Sequence, residues 1–319
     1  MTRKQAVRRT VGALLIAATG WYLVHTITSH WAEMRRFDWR VSPGLLAASV
    51  GLHVLVLAFG VLVWSRVLRH FDHPPVPHGS LQRIWFLSNL ARYVPGKVFQ
   101  FVAVAQLSRA AGLSGAVLLT SMLVHTGITL MASIVVASWT LTGGVFRGID
   151  PRWTGVAATV AALVSVHPGL LNRVLTAIPK LLGRDVIRWN GTWMQGVGLL
   201  LLAVANWAFY GVAYHLFVAA LAPVPWSLLP QMAGVNALSF FAGYWSPLPG
   251  GGGLREASMT LFLRPYLPDG VGAVLSLAAR LWTIAAELIG GGAALLLARA
   301  TLRPVDGGAT EEVPVPPAL

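Results

Sequence analysis

The chain has 319 residues, of which 55% are hydrophobic and only 11% are charged, and none is cysteine. Average soluble domains carry about 25% charged residues, so this composition excludes a water-soluble enzyme and indicates a multi-pass membrane protein. The lack of cysteine excludes disulfides, thiol nucleophiles and cysteine metal sites. The formal charge of +13 is spread over arginines between apolar runs, a pattern typical of loops that contact lipid headgroups, and no nucleic-acid partner is expected.

Six apolar runs are long enough to cross a bilayer, since about 20 helical residues span the hydrocarbon core. The first follows the basic segment MTRKQAVRRT, and because no small-residue cleavage pattern follows it, we expect a retained signal anchor. The six runs are about Val11 to Thr28, Gly44 to Leu68, Ser114 to Thr142, Trp153 to Leu171, Gln195 to Ala222 and Gly270 to Ala298.

Two further apolar stretches, Leu81 to Leu107 and Leu228 to Leu263, are interrupted near their centres by proline and glycine, at residues 93–97 and 246–253. Proline lacks an N–H group and clashes with the preceding turn, and glycine has no helical preference, so each stretch should form two half-helices. A half-helix of about ten residues is roughly 15 Å long, half the hydrocarbon thickness. We therefore predict an all-α fold with six full spans and two re-entrant helical hairpins.

The basic residues predict the orientation of the chain. If each hairpin returns to its side of entry and the N-terminus is cytoplasmic, fourteen Lys and Arg residues lie in inner segments, six in outer segments and four at membrane depth. This asymmetry favours a protein of the cell membrane with both termini cytoplasmic.

A span, a hairpin and a span at about 44–142 recur at about 195–298, with one extra helix between them that inverts the second set. This pattern is typical of inverted-topology repeats, which in transporters place the substrate site near the midplane where the repeats meet. We expect one transmembrane domain over residues 1–303. Residues 167–194 fit either an interfacial helix or a loose loop, and the Pro-rich tail 304–319 is expected to be disordered and cytoplasmic.

The first interruption predicts an anion site. Lys97 follows Pro95 and Gly96, on the first turn of a half-helix whose unpaired N–H groups already carry partial positive charge. Arg92 can face the same cavity, and Asn89 can form hydrogen bonds across the break. The alternative is that Lys97 reaches to the membrane interface and Pro-Gly merely turns the chain.

The second interruption contains four consecutive glycines, which let the backbone approach a ligand closely: Gly250, Gly251, Gly252 and Gly253. Arg255 follows in the first turn of the next half-helix. Glu256 beside it suits the helix dipole, or it pairs with an arginine. The alternative is an exposed, flexible outer loop, and neither glycine cluster has the pattern of a nucleotide-binding loop.

On the last helix, Arg280 and Glu287 are seven residues apart and share a face, with Thr283 between them. They form a buried ion pair, or Arg280 binds a headgroup and Glu287 couples transport to protons. Single histidines within spans are more often packing residues than ligands: His53, His125 and His215. No metal-ligand spacing occurs, so no metal or cofactor is expected.

Residues 89–97, NLARYVPGK, resemble the N-x-x-R-Y-x-P-G-K signature of the lysylphosphatidylglycerol synthase transmembrane region, also called the flippase-like family. Residues 249–256, PGGGGLRE, are similar to its P-G-G-x-G-x-R-E signature. Arg280 before a Gly-rich last helix is similar to the family's ending, and the resemblance covers about residues 10 to 300. It implies that the signature residues, including Tyr93, line the substrate site.

The resemblance also implies lipid handling. In relatives that make aminoacylated phosphatidylglycerol, this region moves the lipid between leaflets while a separate soluble domain transfers the amino acid. Only about twenty residues follow the last span here, so we expect no synthase activity. Other stand-alone members are linked to polyprenyl-phosphate sugar pathways or hopanoid traffic, which leaves the lipid open.

The leading interpretation is a lipid flippase or transporter, not itself an enzyme, that binds an anionic phospholipid or polyprenyl-phosphate headgroup at the midplane. Lys97 with Arg92 would hold the headgroup from one hairpin, and the glycine run with Arg255 from the other. An alternative is a polyprenyl-phosphate glycosyltransferase that uses Glu33 or Asp38 in the first outer loop. Another is a non-catalytic membrane subunit that supports a glycosyltransferase or lipid-modifying enzyme. The sequence leaves the oligomeric state and the energy source open.

Overall fold

The computed structural model describes residues 20–22, 24–73, 75–91, 114–141, 150–181, 186–246 and 251–301. These residues form helices and connecting loops, without strands among them, which confirms the predicted all-α class. A 3₁₀ turn at Trp226–Leu228 leads directly into the helix that begins at Leu229. The helices are labelled in chain order as α1 (Trp31–Arg36), α2 (Pro43–Leu68), α3 (His78–Ala91), α4 (Gly115–Thr140), α5 (Pro151–Ser165), α6 (Pro168–Leu181), α7 (Trp193–Leu221), α8 (Leu229–Tyr244), α9 (Leu254–Leu263) and α10 (Asp269–Thr301).

Four described helices, α2, α4, α7 and α10, are long and apolar enough to cross a membrane. Their bounds confirm four of the six predicted spans to within a few residues. In the first predicted span, residues 20–22 and 24–28 are described and helical, and the other residues lie outside the described part. The chain is therefore a multi-pass membrane protein, and the total of six spans stays a prediction.

The predicted span from Trp153 to Leu171 is not one straight helix. Helix α5 ends at Ser165, and α6 begins at Pro168 with its axis turned by 67°. Proline disfavours a helical conformation at the residue before it, here His167, so α5 ends just before it. With 15 residues, α5 is about 22 Å long and does not span the hydrocarbon core by itself.

Helix α6 forms over the first half of the 167–194 segment, where the sequence left a helix or a loose loop open. Leu175 is buried while the neighbouring Val174 is exposed, so the helix has an apolar face against the protein. Asn172 fixes this face to the following loop, because its Nδ2 donates to Trp189 O at 3.0 Å and its Oδ1 accepts from Trp189 N at 2.8 Å. An amphipathic helix that turns away from the spans suits the membrane interface.

The second broken stretch is interrupted as predicted, since α8 ends at Tyr244, α9 begins at Leu254, and the two helices pack against each other. In the first broken stretch, α3 provides the first half. Residues 92–113 lie outside the described part, so the second half-helix is not described. The re-entrant path of both stretches through the membrane stays a prediction.

The first spans of the two sets, α2 and α7, pack against each other in antiparallel directions. Arg40 N donates to Leu221 O at 3.1 Å at one end of the pair, and Asn190 N donates to His70 O at 3.0 Å at the other. Around this pair, α3 packs on α10 and α8 packs on α4, while α10 also packs on α2 and α4 on α7. Each broken stretch therefore lies against the last span of the other set.

Candidate functional site

The glycines just before α9, residues 251–253, lie against the end of α8. Gly251 and Gly253 have φ angles of +76° and +83°, a region that side-chain-bearing residues rarely adopt. Ser246 Oγ, just after α8, donates to Gly252 O at 2.9 Å. A Cβ atom on Gly251 would lie 3.0 Å from Gly243 O, so the close approach of the two backbones also requires glycine.

Glu256, in the first turn of α9, connects this loop to α10. Its Oε2 accepts from Gly253 N at 2.6 Å, and its Oε1 accepts from Arg280 Nη1 at 2.7 Å. The Glu256 side chain is only 5% exposed and that of Arg280 is 31% exposed. The carboxylate therefore caps α9 and forms an ion pair with a neighbouring helix at the same time. The structure thus pairs Arg280 with Glu256, the second of the two pairings that the sequence had left open for this carboxylate.

The Arg255 guanidinium lies inside the helix bundle, between α7 and α8. Its Nη2 atom is 3.3 Å from Tyr210 Oη and 3.5 Å from Asn236 Oδ1, and its Cζ lies 6.0 Å from the centre of the Phe240 ring. Gly243 makes this position accessible, since a Cβ atom there would lie 2.7 Å from Arg255 Cβ. Arg255 thus has two neutral oxygen acceptors and an aromatic ring as neighbours.

An aromatic cluster borders this arginine and joins α2, α7 and α10. The His53 ring packs on Tyr210 at 4.6 Å and on Trp282 at 4.2 Å between ring centres. Trp282 also packs on Phe217 at 5.1 Å and on Tyr214 at 6.1 Å. The His53 ring therefore packs against aromatic side chains of α7 and α10.

Several buried polar atoms around Arg255 have no hydrogen-bond partner among the described residues. They are both ring nitrogens of His53, Tyr214 Oη and Asn236 Nδ2. Buried polar atoms in proteins are nearly always hydrogen-bonded, so such a group of atoms around one cation needs an explanation. These groups leave hydrogen-bonding capacity unused in the surroundings of Arg255.

Tyr210 and Asn236 are site residues that sequence reasoning missed. Each is one of several polar residues in a largely apolar helix, and no motif marks it. A polar residue deep in a predicted span is itself a signal of function, and Asn236 in the middle of α8 fits that rule.

Glu287 lies two turns beyond Arg280 along α10. It is buried, with 4% of its surface exposed, and Gly290 one turn later lies against Phe86 of α3. Asn89, near the end of α3, is half-buried. Helix α10 therefore contacts the second broken stretch at Arg280 and the first beyond Glu287.

The structure brings the described candidates of the second interruption into one cluster, made of Gly251, Gly252, Gly253, Arg255, Glu256 and Arg280. The candidates Arg92, Tyr93, Lys97 and Gly250 lie outside the described residues. No group of three or more His, Asp or Glu side chains suited to a metal ion occurs in the described part of the chain.

In the first outer loop, Asp38 is exposed, whereas Glu256 of the cluster is buried. Asp38 Oδ2 pairs with Arg40 Nη2 at 3.0 Å, and both side chains are well exposed. The Glu33 side chain lies outside the described part. An exposed pair between near neighbours is typical of a solvated segment.

These features define a class of protein, a multi-pass helical membrane protein in which a Gly-rich break brings two arginines and a glutamate together within the helix bundle. The family model of the lysylphosphatidylglycerol synthase TM region matches residues 9–291, and the chain belongs to this family. The match confirms the family that the two sequence signatures indicated. No curated protein matches the chain.

Proposed function

We propose that this protein is a lipid flippase or transporter that binds an anionic lipid headgroup between its two broken stretches. The lipid class is a phospholipid or a polyprenyl phosphate, which share a phosphate group. One observation carries the proposal: Arg255 and the Glu256–Arg280 pair lie together beside a positive-φ glycine loop, in contact with two helices long enough to span the membrane.

The chemistry of the cluster suits a phosphate. A guanidinium binds phosphate oxygens with two parallel N–H donors, which a lysine ammonium cannot do. Glu256 holds Arg280 and the start of α9 in place. Two neutral oxygens, Tyr210 Oη and Asn236 Oδ1, lie 3.3 and 3.5 Å from Arg255 Nη2. Charges among membrane spans are costly and are mostly retained where they have a function.

The helix packing supports inverted repeats at about 44–142 and 195–298. In such repeats α2, α3 and α4 of the first set correspond to α7, α8 and α10 of the second. The contact between α3 and α10 then corresponds to the contact between α8 and α4, and the contact between α2 and α10 corresponds to the contact between α7 and α4. The contact between α2 and α7 joins the two corresponding first spans, so it is unchanged when the sets are exchanged. In transporters with such repeats, the substrate lies at their junction near the midplane.

We assign Arg92, Tyr93 and Lys97 to the same headgroup site from the first broken stretch. Helix α10 carries Arg280 and also packs on α3, the helix that leads into those residues. Alternating access of the two sets would then expose the bound headgroup to each leaflet in turn.

The binding part of the proposal is tested with purified protein in detergent, by native mass spectrometry with phosphatidylglycerol and phosphatidylcholine. Because a charge-assisted hydrogen bond contributes about 1.5–3 kcal/mol, Arg255→Gln should weaken retention of the anionic lipid by at least roughly tenfold. Arg264→Gln is the matched control, since Arg264 pairs with Asp269 in a partly exposed loop away from the cluster. Equal retention by both variants would contradict the site.

The transport part is tested by lipid movement in sealed proteoliposomes. Sugar transfer by the purified protein would instead favour the glycosyltransferase alternative. A stably co-purifying enzyme, with no lipid movement by this chain alone, would favour a supporting subunit.

A further inference from the structure

A second cationic pocket lies where α2 ends and α7 begins, away from the Arg255 cluster. Its volume is about 430 Å³, and it is lined by Arg66, Arg69, His70, Gln195, Gly198, Leu199 and Leu202. Gly198 and Tyr210, the α7 residue that contacts Arg255, are roughly 18 Å apart along the helix axis. The pocket is therefore separate from the proposed translocation site.

The pocket has a charged end and an apolar end. Arg66 and Arg69 are three residues apart and hence on one face of the same helical turn. No acidic residue lines the pocket, and neither arginine forms an ion pair in the described part of the chain. The nearby Asp72 accepts a hydrogen bond from Asn190 Nδ2 at 3.2 Å. Leu199 and Leu202 form the apolar part of the lining, and the neighbouring Leu201 of α7 is exposed.

Aromatic and amphipathic elements typical of the membrane interface surround this pocket. The His70 ring packs on Trp189 at 4.5 Å, and Trp189 is hydrogen-bonded to Asn172 of the amphipathic helix α6. Trp193, at the first turn of α7, is about half exposed. Amphipathic helices and tryptophans of this kind mark the boundary between headgroups and acyl chains.

We infer that this pocket binds an anionic phospholipid of the adjoining leaflet, with its phosphate on Arg66 and Arg69 and an acyl chain along Leu199 and Leu202. A single molecule with a phosphate and an acyl chain matches both ends of the pocket. The bound lipid contacts α2 and α7 together, so it stabilises the pairing of the two sets of helices. This site holds lipid at the membrane surface and is distinct from the headgroup site at Arg255.

The test uses the full chain carrying Arg255→Gln, so that lipid binding at Arg255 does not contribute to the measured affinity. Phosphatidylglycerol, phosphatidylcholine and water-soluble glycerol 3-phosphate are titrated into the protein in mild detergent, and binding is followed by native mass spectrometry and thermal unfolding. We compare Arg66→Gln/Arg69→Gln with the control Arg83→Gln/Arg173→Gln, which removes two exposed arginines from α3 and α6. Because a basic residue near the membrane surface attracts anionic lipid by about 1 kcal/mol, each pocket arginine should account for roughly fivefold in affinity.

The expected result is preferential binding of phosphatidylglycerol, lost in the pocket variant and retained in the control. Equal weakening in both variants would show that only overall charge matters and would overturn the site. Glycerol 3-phosphate that binds as well as the lipid would overturn the lipid assignment. Should the pocket variant fail to fold, the three ligands are compared on the background protein alone, where absence of a preference for phosphatidylglycerol would overturn the inference. Failure of the Arg255 proposal would leave these outcomes unchanged.

Discussion

The Nη1 atom of Arg280 lies 2.7 Å from Oε1 of Glu256, and this contact joins α10 to the first turn of α9. The other carboxylate oxygen accepts from Gly253 N at 2.6 Å. One buried carboxylate thus fixes both the glycine loop and the last span. The position of Arg255, the residue beside it in the chain, depends on this attachment.

Glu256→Gln should destabilise the protein, because it leaves the partly buried Arg280 charge without this carboxylate. Breaking a buried ion pair costs about 3–5 kcal/mol, and the 31% exposure of Arg280 reduces this cost through solvent screening. We expect the Tm in detergent to fall by roughly 5 °C. Asp269→Asn breaks the more exposed pair with Arg264 and should lower Tm by far less; equal losses would contradict a structural role for Glu256.

Gly251→Ala should disrupt the loop, since the φ angle of +76° is strained for alanine and the new Cβ would lie 3.0 Å from Gly243 O. The strain alone costs about 1–2 kcal/mol. We expect lower thermal stability together with weaker binding of anionic lipid. Gly292→Ala is the matched control, because it lies within helix α10 with open space around it and should be tolerated. A variant at 251 with unchanged stability and binding would contradict the loop geometry.

Glu287→Gln tests whether transport is coupled to protons. Glu287 is buried on α10, one turn from the contact between Gly290 and Phe86 of the first broken stretch. If Glu287 carries the proton, a pH gradient across proteoliposomes should drive lipid accumulation by the wild type and not by the variant, while exchange without a gradient continues in both. A gradient effect that persists in Glu287→Gln would show that this residue does not carry the proton.

His70 should make stability depend on pH. Burial of its ring, and then the neighbouring Arg69 guanidinium, lower the pKa of His70 below its ordinary value of 6.5. The unfolded chain therefore takes up a proton as the pH falls below about 6.5 while the folded protein resists it, so the free energy of unfolding decreases toward acid. His70→Phe keeps a ring against Trp189, and its Tm should vary less between pH 7.5 and 5.5. An identical pH profile for the two proteins would contradict this assignment.

The spans and the breaks could be predicted from sequence because each depends on local physics. Long runs without charge, such as Gly44 to Leu68, favour a membrane-spanning helix wherever they occur. Proline and the four glycines at 250–253 disfavour helix regardless of the surrounding fold. The same rule applied to Pro168 predicts the end of α5. The prediction of one span from Trp153 to Leu171 instead followed from that stretch being apolar on both sides of the proline.

The surroundings of Arg255 could not be predicted in this way. Tyr210 and Asn236 are 45 and 19 residues away in the chain, and they meet Arg255 only through the packing of α7, α8 and α9. The pairing of Arg280 was also open, since helical spacing offered Glu287, and the contact with Glu256 forms only through the packing of α9 on α10. Contacts between helices depend on their relative register, which local patterns do not encode.

The most direct test of the account is the movement of a fluorescent anionic lipid across sealed proteoliposomes, with its zwitterionic counterpart measured in parallel. We predict that the wild type and Arg264→Gln accelerate translocation of the anionic lipid over protein-free vesicles, and that Arg255→Gln reduces this acceleration by at least roughly tenfold while remaining folded. A wild-type rate equal to that of protein-free vesicles, or an Arg255→Gln rate equal to that of the wild type, would contradict the account.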